Sequence, residues 1–157
     1  MPARDKTGDE NGQRPHPQTV ELRIPSELGS ERSAIDLTAS VAKRMGFPAD
    51  RVDDIKTAVS EATLNAIEHG NRLDTAQKVF IELIPEGETL KIDVHDKSAT
   101  PYAPEEGTEA PSLEDKLAGL SNTRGWGTFL IQALVDEAEF SSTSDGNVVR
   151  MVIHLER

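Results

Sequence analysis

Between Pro48 and Gly70 the apolar residues Val52, Ile55, Val59, Ala62 and Ala66 step by three and four along the chain. That spacing returns to one face of an α-helix on every turn. It predicts a long amphipathic helix, opened by Phe47-Pro48, where proline suits the first turn, and ended by Gly70. A helix with a single apolar stripe must bury it on a second layer, and the rest of the chain offers one. TVELRIP alternates apolar and polar residues at Val20, Leu22 and Ile24 and stops at Pro25. KVFIELIP and TLKIDVHD alternate on either side of Glu86-Gly87-Glu88, the pattern of a hairpin. AEFSSTS and NVVRMVIHLE form a closing pair of strands around Asp145-Gly146-Asn147.

Two further helices are expected. One runs from about Ser30 to Met45 and stops at Gly46; the other is TFLIQALVDE, after Gly127. The order is strand, helix, helix, strand, strand, loop, helix, strand, strand. It lacks the regular alternation of a doubly wound parallel fold. It predicts an α+β, two-layer α/β sandwich with helices on one face of a mostly antiparallel mixed sheet.

The 157 residues suffice for one domain with its own core, placed at residues 19–157. Residues 1–18 are rich in proline, glycine and charge without periodicity and read as a disordered tail. Residues 97–124 hold few large apolar side chains and a short helical piece at about 112–118, which suggests a mobile or ligand-covering loop. There is no cysteine, so thiolate nucleophiles, Cys-ligated zinc and disulfide scaffolds are excluded. No run approaches the roughly 18 apolar residues that span a bilayer, and the N-terminus has no apolar stretch of a signal peptide. A soluble, cytoplasmic protein is the expectation, with no membrane association.

The formal net charge is −11, which disfavours direct binding to nucleic acid. In the tail, Arg4, Lys6 and Arg14 offset Asp5, Asp9 and Glu10, so the excess acidity belongs to the folded part. Acidity of this kind either recruits a basic partner or maintains solubility.

Three segments carry groups with chemical potential. In AVSEATLNAIEHGN, a regular helix would put Glu61, Asn65 and His69 on one ridge at four-residue spacing. A carboxamide oxygen suits Mg²⁺, which binds through few protein oxygens plus substrate phosphates. A carboxylate one turn away can act as general base. In Arg124-Gly125-Trp126-Gly127-Thr128, two glycines ahead of a helix allow close backbone approach to an anion, and Arg124 adds a charged donor. Trp126 reads as a packing residue. Asp96, at the end of a strand, can accept a proton from the exocyclic amino group of adenine. Taken singly, each segment also reads as ordinary structure: a solvated helix face, a tight turn, an exposed aspartate.

Together, their order and spacing resemble the GHKL (Bergerat-type) ATP-binding fold. AVSEATLNAIEHGN and RGWGTFLIQALVDEAEF are similar to the anti-sigma-factor serine kinases of the RsbW and SpoIIAB type, over roughly Val20 to Leu155. The resemblance implies ATP and Mg²⁺ as cofactors and Glu61 as the base that deprotonates a serine of a protein substrate. It implies Asn65 as the Mg²⁺ ligand and Asp96 as the adenine-reading carboxylate. Arg124, Gly125, Gly127 and Thr128 become the phosphate-binding segment, and His69 lies near the nucleotide. The implied partners are a sigma factor and a small anti-anti-sigma protein of STAS type, and the implied assembly is a homodimer.

The chain departs from the family pattern after the second hairpin strand. The usual Asp-x-Gly-x-Gly is replaced by Asp96-Lys97-Ser98-Ala99-Thr100, and the stretch Pro104 to Asp115 is strongly acidic. Two functions follow. One is a partner-switching serine kinase; the other is a non-catalytic module of the same fold that sequesters a regulatory partner. A detached half of a histidine kinase is disfavoured, because no helical hairpin carries a phospho-acceptor histidine.

Overall fold

A computed structural model describes residues 18–98 and 123–156, with side chains in the second stretch from residue 127 onward. The expected helix at 112–118, the acidic stretch Pro104 to Asp115 and nearly all of the tail lie outside the described residues.

The chain runs β1 (Val20–Pro25), α1 (Glu31–Met45), α2 (Ala49–Asn65), a π-helical turn (Ala66–Gly70), β2 (Lys78–Glu86), β3 (Thr89–His95), α3 (Thr123–Leu134), β4 (Glu137–Thr143) and β5 (Gly146–His154). The five strands form one sheet in the order β1-β2-β3-β5-β4. All four pairings among the described residues are antiparallel.

The register explains how the sheet acquires one apolar face. Leu22 pairs with Ile81, Ile81 with Val94, Val94 with Val149, and Val149 with Phe140, a row crossing all five strands. Two residues along, Val20, Leu83, Ile92, Met151 and Ala138 form a second row. Alternate residues of a strand share a face, so these rows stack. The helices bury their stripes on them: Val52, Ile55, Val59, Ala62 and Ala66 are all buried and join the strand residues in a single core cluster. The apolar spacing that predicts α2 therefore marks its buried side.

Helix α1 ends in a Schellman motif. Gly46 takes φ 99°, its N–H donates to the Lys43 carbonyl at 3.0 Å and the Phe47 N–H to the Ala42 carbonyl at 3.1 Å. Helix α2 does not end as a plain α-helix. At Ala66–Gly70 the ladder widens, and the Asn71 N–H reaches the Ala66 carbonyl, five residues back, at 2.8 Å. The chain leaves through Arg72 and Leu73, both left-handed with φ 52° and 60°.

The far side of the sheet carries charge. Arg150 donates from Nε and Nη2 to the two oxygens of Asp93, at 2.8 and 2.7 Å. His95 Nε2 meets Glu82 Oε1 at 2.9 Å. Glu82, Asp93 and His95 come close enough to hold a metal ion, but each already has a protein partner, and the cluster is an ion-pair ladder across β2, β3 and β5.

Candidate functional site

The C-terminal half of α2 is the common wall of the site. Asn65, its last residue, is 6% exposed, and its Nδ2 is buried without a hydrogen-bond partner among the described residues. Glu61, one turn earlier, is half-buried. Helix α3 packs directly on this pair. A Cβ on Gly127 would lie 2.9 Å from Glu61 Oε2 and 3.0 Å from Asn65 Nδ2, so one or both side chains would have to shift. Glycine lets the two helices meet here with Glu61 and Asn65 in place. Thr128, next in α3, is buried.

The expected glycine-rich turn is already helical. Helix α3 begins at Thr123, so Arg124, Gly125 and Gly127 lie in its first turns and not ahead of it. The physical effect is similar, because the first N–H groups of a helix have no partner within it and present a positive end. The side chains of Arg124 and Trp126 lie outside the described residues.

Asp96 closes the other end. It follows β3 and is buried. Its Oδ1 accepts the Ser98 N–H at 2.9 Å and two N–H groups of Asn147, at 3.3 and 3.2 Å. Gly70, at the end of the π turn, is packed against it so tightly that a Cβ there would collide with Asp96 Oδ2. Asn71 fastens the same corner. Its Oδ1 accepts the Lys97 N–H at 2.8 Å and its Nδ2 donates to Ser26 Oγ at 2.9 Å.

The fold therefore brings Glu61 and Asn65 against Gly127, and joins them through the π turn and Gly70 to Asp96. His69 is different. A regular helix would stack it on Asn65, but the π turn inserts an extra residue into the ring and breaks the four-residue phase. Its side chain is exposed, whereas Asn65 and Gly70 are buried.

A family model for the histidine kinase-like ATPase domain matches residues 24–153. The chain belongs to that family. Within the family it is similar to the serine-protein kinase RsbW of Bacillus licheniformis, with 32% identity over 88% of this chain and 86% of the relative. It is equally similar to the anti-sigma F factor of Anoxybacillus flavithermus, with 32% identity over 87% of this chain and 92% of the relative. Among solved structures, a Mycobacterium tuberculosis protein with RsbU and RsbW domains superposes with a TM-score of 0.61 at 18% identity. That match covers 87% of this chain and 32% of the larger protein, and it bears on the fold alone.

The geometry suits the group a histidine kinase-like ATPase domain would hold. A buried carboxamide with one unpartnered end costs about 1–3 kcal/mol unless a ligand meets it. Among the described residues Asn65 has such an end beside a carboxylate and a glycine, an arrangement fit for a hard cation with phosphate oxygens. Sequence reasoning missed Gly70, Asn71, Gly146 and Asn147 as site residues. Gly70 reads as a helix stop and Asp145-Gly146-Asn147 as a turn. The available signal was the run His69-Gly70-Asn71, where glycine and asparagine follow the reactive helix without a break.

Proposed function

We propose that this chain is an ATP- and Mg²⁺-dependent protein serine kinase that acts in partner switching, binding a sigma factor and phosphorylating an anti-anti-sigma protein of STAS type. The observation that carries the reading is the seam at Gly127, which sets the helix carrying the phosphate-binding segment against a carboxylate and a buried carboxamide. The names of the relatives, serine-protein kinase and anti-sigma F factor, support it.

In this reading Asn65 holds Mg²⁺ and Asp96 accepts from the adenine amino group. Arg124, Gly125, Gly127 and Thr128 bind the phosphates, with α3's first N–H groups as neutralising donors. His69 sits at the rim. Bound Mg²⁺ would neutralise charge on the phosphates. Glu61 takes the proton of the substrate serine; that oxygen bonds the γ-phosphorus as its bond to the β–γ bridging oxygen breaks, and ADP leaves. Closure against water comes from the α2–α3 packing. The protein works as a cytoplasmic homodimer.

The test uses the full chain, Mg-ATP and a serine-bearing STAS domain. Glu61→Ala is expected to abolish phosphorylation while ATP affinity stays within about threefold, since a base acts on the acceptor and not on nucleotide binding. Undiminished phosphorylation by this variant removes the role of Glu61. Absence of saturable, Mg²⁺-dependent nucleotide binding to the unaltered protein would instead establish the non-catalytic module.

A further inference from the structure

The large apolar side chains exposed among the described residues are Leu28, at 57%, Leu73, at 49%, and Phe129, at 38%. They come from three separate segments, yet all lie at the end of the molecule that carries the candidate site. Pro25 pairs with Lys78 and Phe80 with His95, so the end of β1, the start of β2 and the end of β3 share one end of the sheet. Leu28 follows β1 and Leu73 precedes β2. Phe129 comes two residues after Gly127, which meets Glu61 and Asn65.

Single exposed leucines are ordinary, but Leu73 is held in place at a cost. Its φ is 60° and follows Arg72 at 52°, a left-handed conformation that glycine or asparagine adopts more readily than leucine. The turn is nonetheless fixed. The Leu73 N–H donates to the Ile67 carbonyl at 2.8 Å and the Asp74 N–H to the Asn71 carbonyl at 2.9 Å. Ser26 is fully buried and locks this turn to the loop of Leu28: its Oγ donates to the Gln77 carbonyl at 2.5 Å and accepts from Asn71 Nδ2. Neither the backbone nor the core calls for a leucine at position 73. Strain kept under those conditions points to function.

The scale of the site says which partner covers this turn. A helix rises about 1.5 Å per residue, so Gly70 lies about 13 Å beyond Glu61. A stable protein–protein contact takes about 800 Å² of each partner, a disc about 16 Å in radius. A folded acceptor that brings a serine to Glu61 therefore reaches the turn after Gly70 as well, and it needs apolar side chains there to dock on. We infer that Leu73 and Leu28 are the apolar anchor on which the phospho-acceptor protein docks, seating its serine over Glu61. The inference rests on the reading of Glu61 as the base that meets that serine.

The experiment uses the full chain, Mg-ATP and the serine-bearing STAS domain, with Leu73→Asn, Leu28→Ser, the double variant and Leu73→Met. It measures kcat and KM for the STAS domain, its Kd, ATP affinity, the urea midpoint and self-association by sedimentation. Leu73→Asn is expected to raise KM and Kd for the STAS domain about tenfold. Its kcat at saturation and its ATP affinity should hold, because docking binds ground state and transition state alike. Its urea midpoint should stay level or rise, since asparagine accepts the left-handed backbone. The double variant should bind more weakly still, and Leu73→Met should stay within about twofold of the unaltered protein.

Unchanged KM and Kd in the double variant overturn the proposal. So does a fall in urea midpoint with a matching loss of ATP affinity, which makes Leu73 a structural residue. A shift in self-association with the STAS Kd intact assigns the anchor to a second copy of the chain and likewise overturns it, as does a STAS domain that fails to bind the unaltered protein. An unaltered protein that binds the STAS domain without transferring phosphate defeats the kinase reading alone, and the Kd values of the variants still decide the docking.

Discussion

Gly127 and Asn65 face each other closely across the α2–α3 seam: a Cβ on residue 127 would stand 3.0 Å from the Asn65 amide nitrogen. The same position would stand 2.9 Å from Glu61 Oε2. The helix that carries the proposed phosphate-binding segment is thereby set against the two side chains proposed to hold Mg²⁺ and to take the proton.

Gly127→Ala opposes two effects of known size. Alanine is better than glycine inside a helix by about 1 kcal/mol, whereas overpacking costs about 1–3 kcal/mol. The expected net is near neutral or destabilising, with phosphoryl transfer down at least about tenfold because a small misplacement of reacting groups is expensive. Urea melts and single-turnover assays measure both. A variant about 1 kcal/mol more stable with transfer intact would contradict the close seam.

Asp136→Ala probes a clamp at the opposite end of α2. Arg51 Nη2 donates to Asp136 Oδ2 at 3.1 Å and to the His154 carbonyl at 3.0 Å, and the His154 N–H reaches the same Asp136 oxygen at 2.8 Å. Removing the carboxylate leaves a guanidinium that is only 9% exposed without its counter-charge. The expected loss is about 3 kcal/mol by denaturant unfolding, with ATP affinity of the folded protein unchanged. Arg51→Met, which keeps the apolar stem, should lose less.

Arg150→Ala yields a pH prediction. The hydrogen bonds that Arg150 donates to the Asp93 carboxylate hold its guanidinium above its ordinary value, and burial opposes this only in part. A basic group raised on folding contributes its full stability below the unfolded value and loses it only as pH climbs through the folded one. Both lie far above neutrality. The stability difference between the unaltered protein and Arg150→Ala should therefore stay flat from about pH 7 to about pH 9. It should be about 1–2 kcal/mol, discounted because Arg150 is 43% exposed. Unfolding curves across that range check it, and a difference that vanishes by the alkaline end would refute it.

Much of the fold is legible in the sequence because its cause is local. Val52, Ile55, Val59, Ala62 and Ala66 announce the buried side of α2, and the alternation around Ile81, Leu83, Ile92 and Val94 announces the inner face of the hairpin. Glu61, Asn65 and Asp96 stand out as polar groups at the edges of those patterns. What escapes is set by distant contacts. The widened turn at Ala66–Gly70 adjoins a corner where Asn71 is tied to Ser26, 45 residues earlier, and to Lys97, 26 residues later. Asn147 acquires its importance from Asp96, 51 positions away. Neither partner can be found by counting along the chain. Helix α3 begins before its glycines, because glycine weakens a helix without forbidding it.

The widened turn also reverses an intuition about which neighbour matters. An imidazole invites suspicion of reactivity and a bare methylene does not, yet the extra residue swings position 69 toward solvent and delivers position 70 onto the aspartate. A mutational walk down this helix in strides of four would land on the tolerant residue and step over the intolerant one. Past Asn65, the informative stride is five.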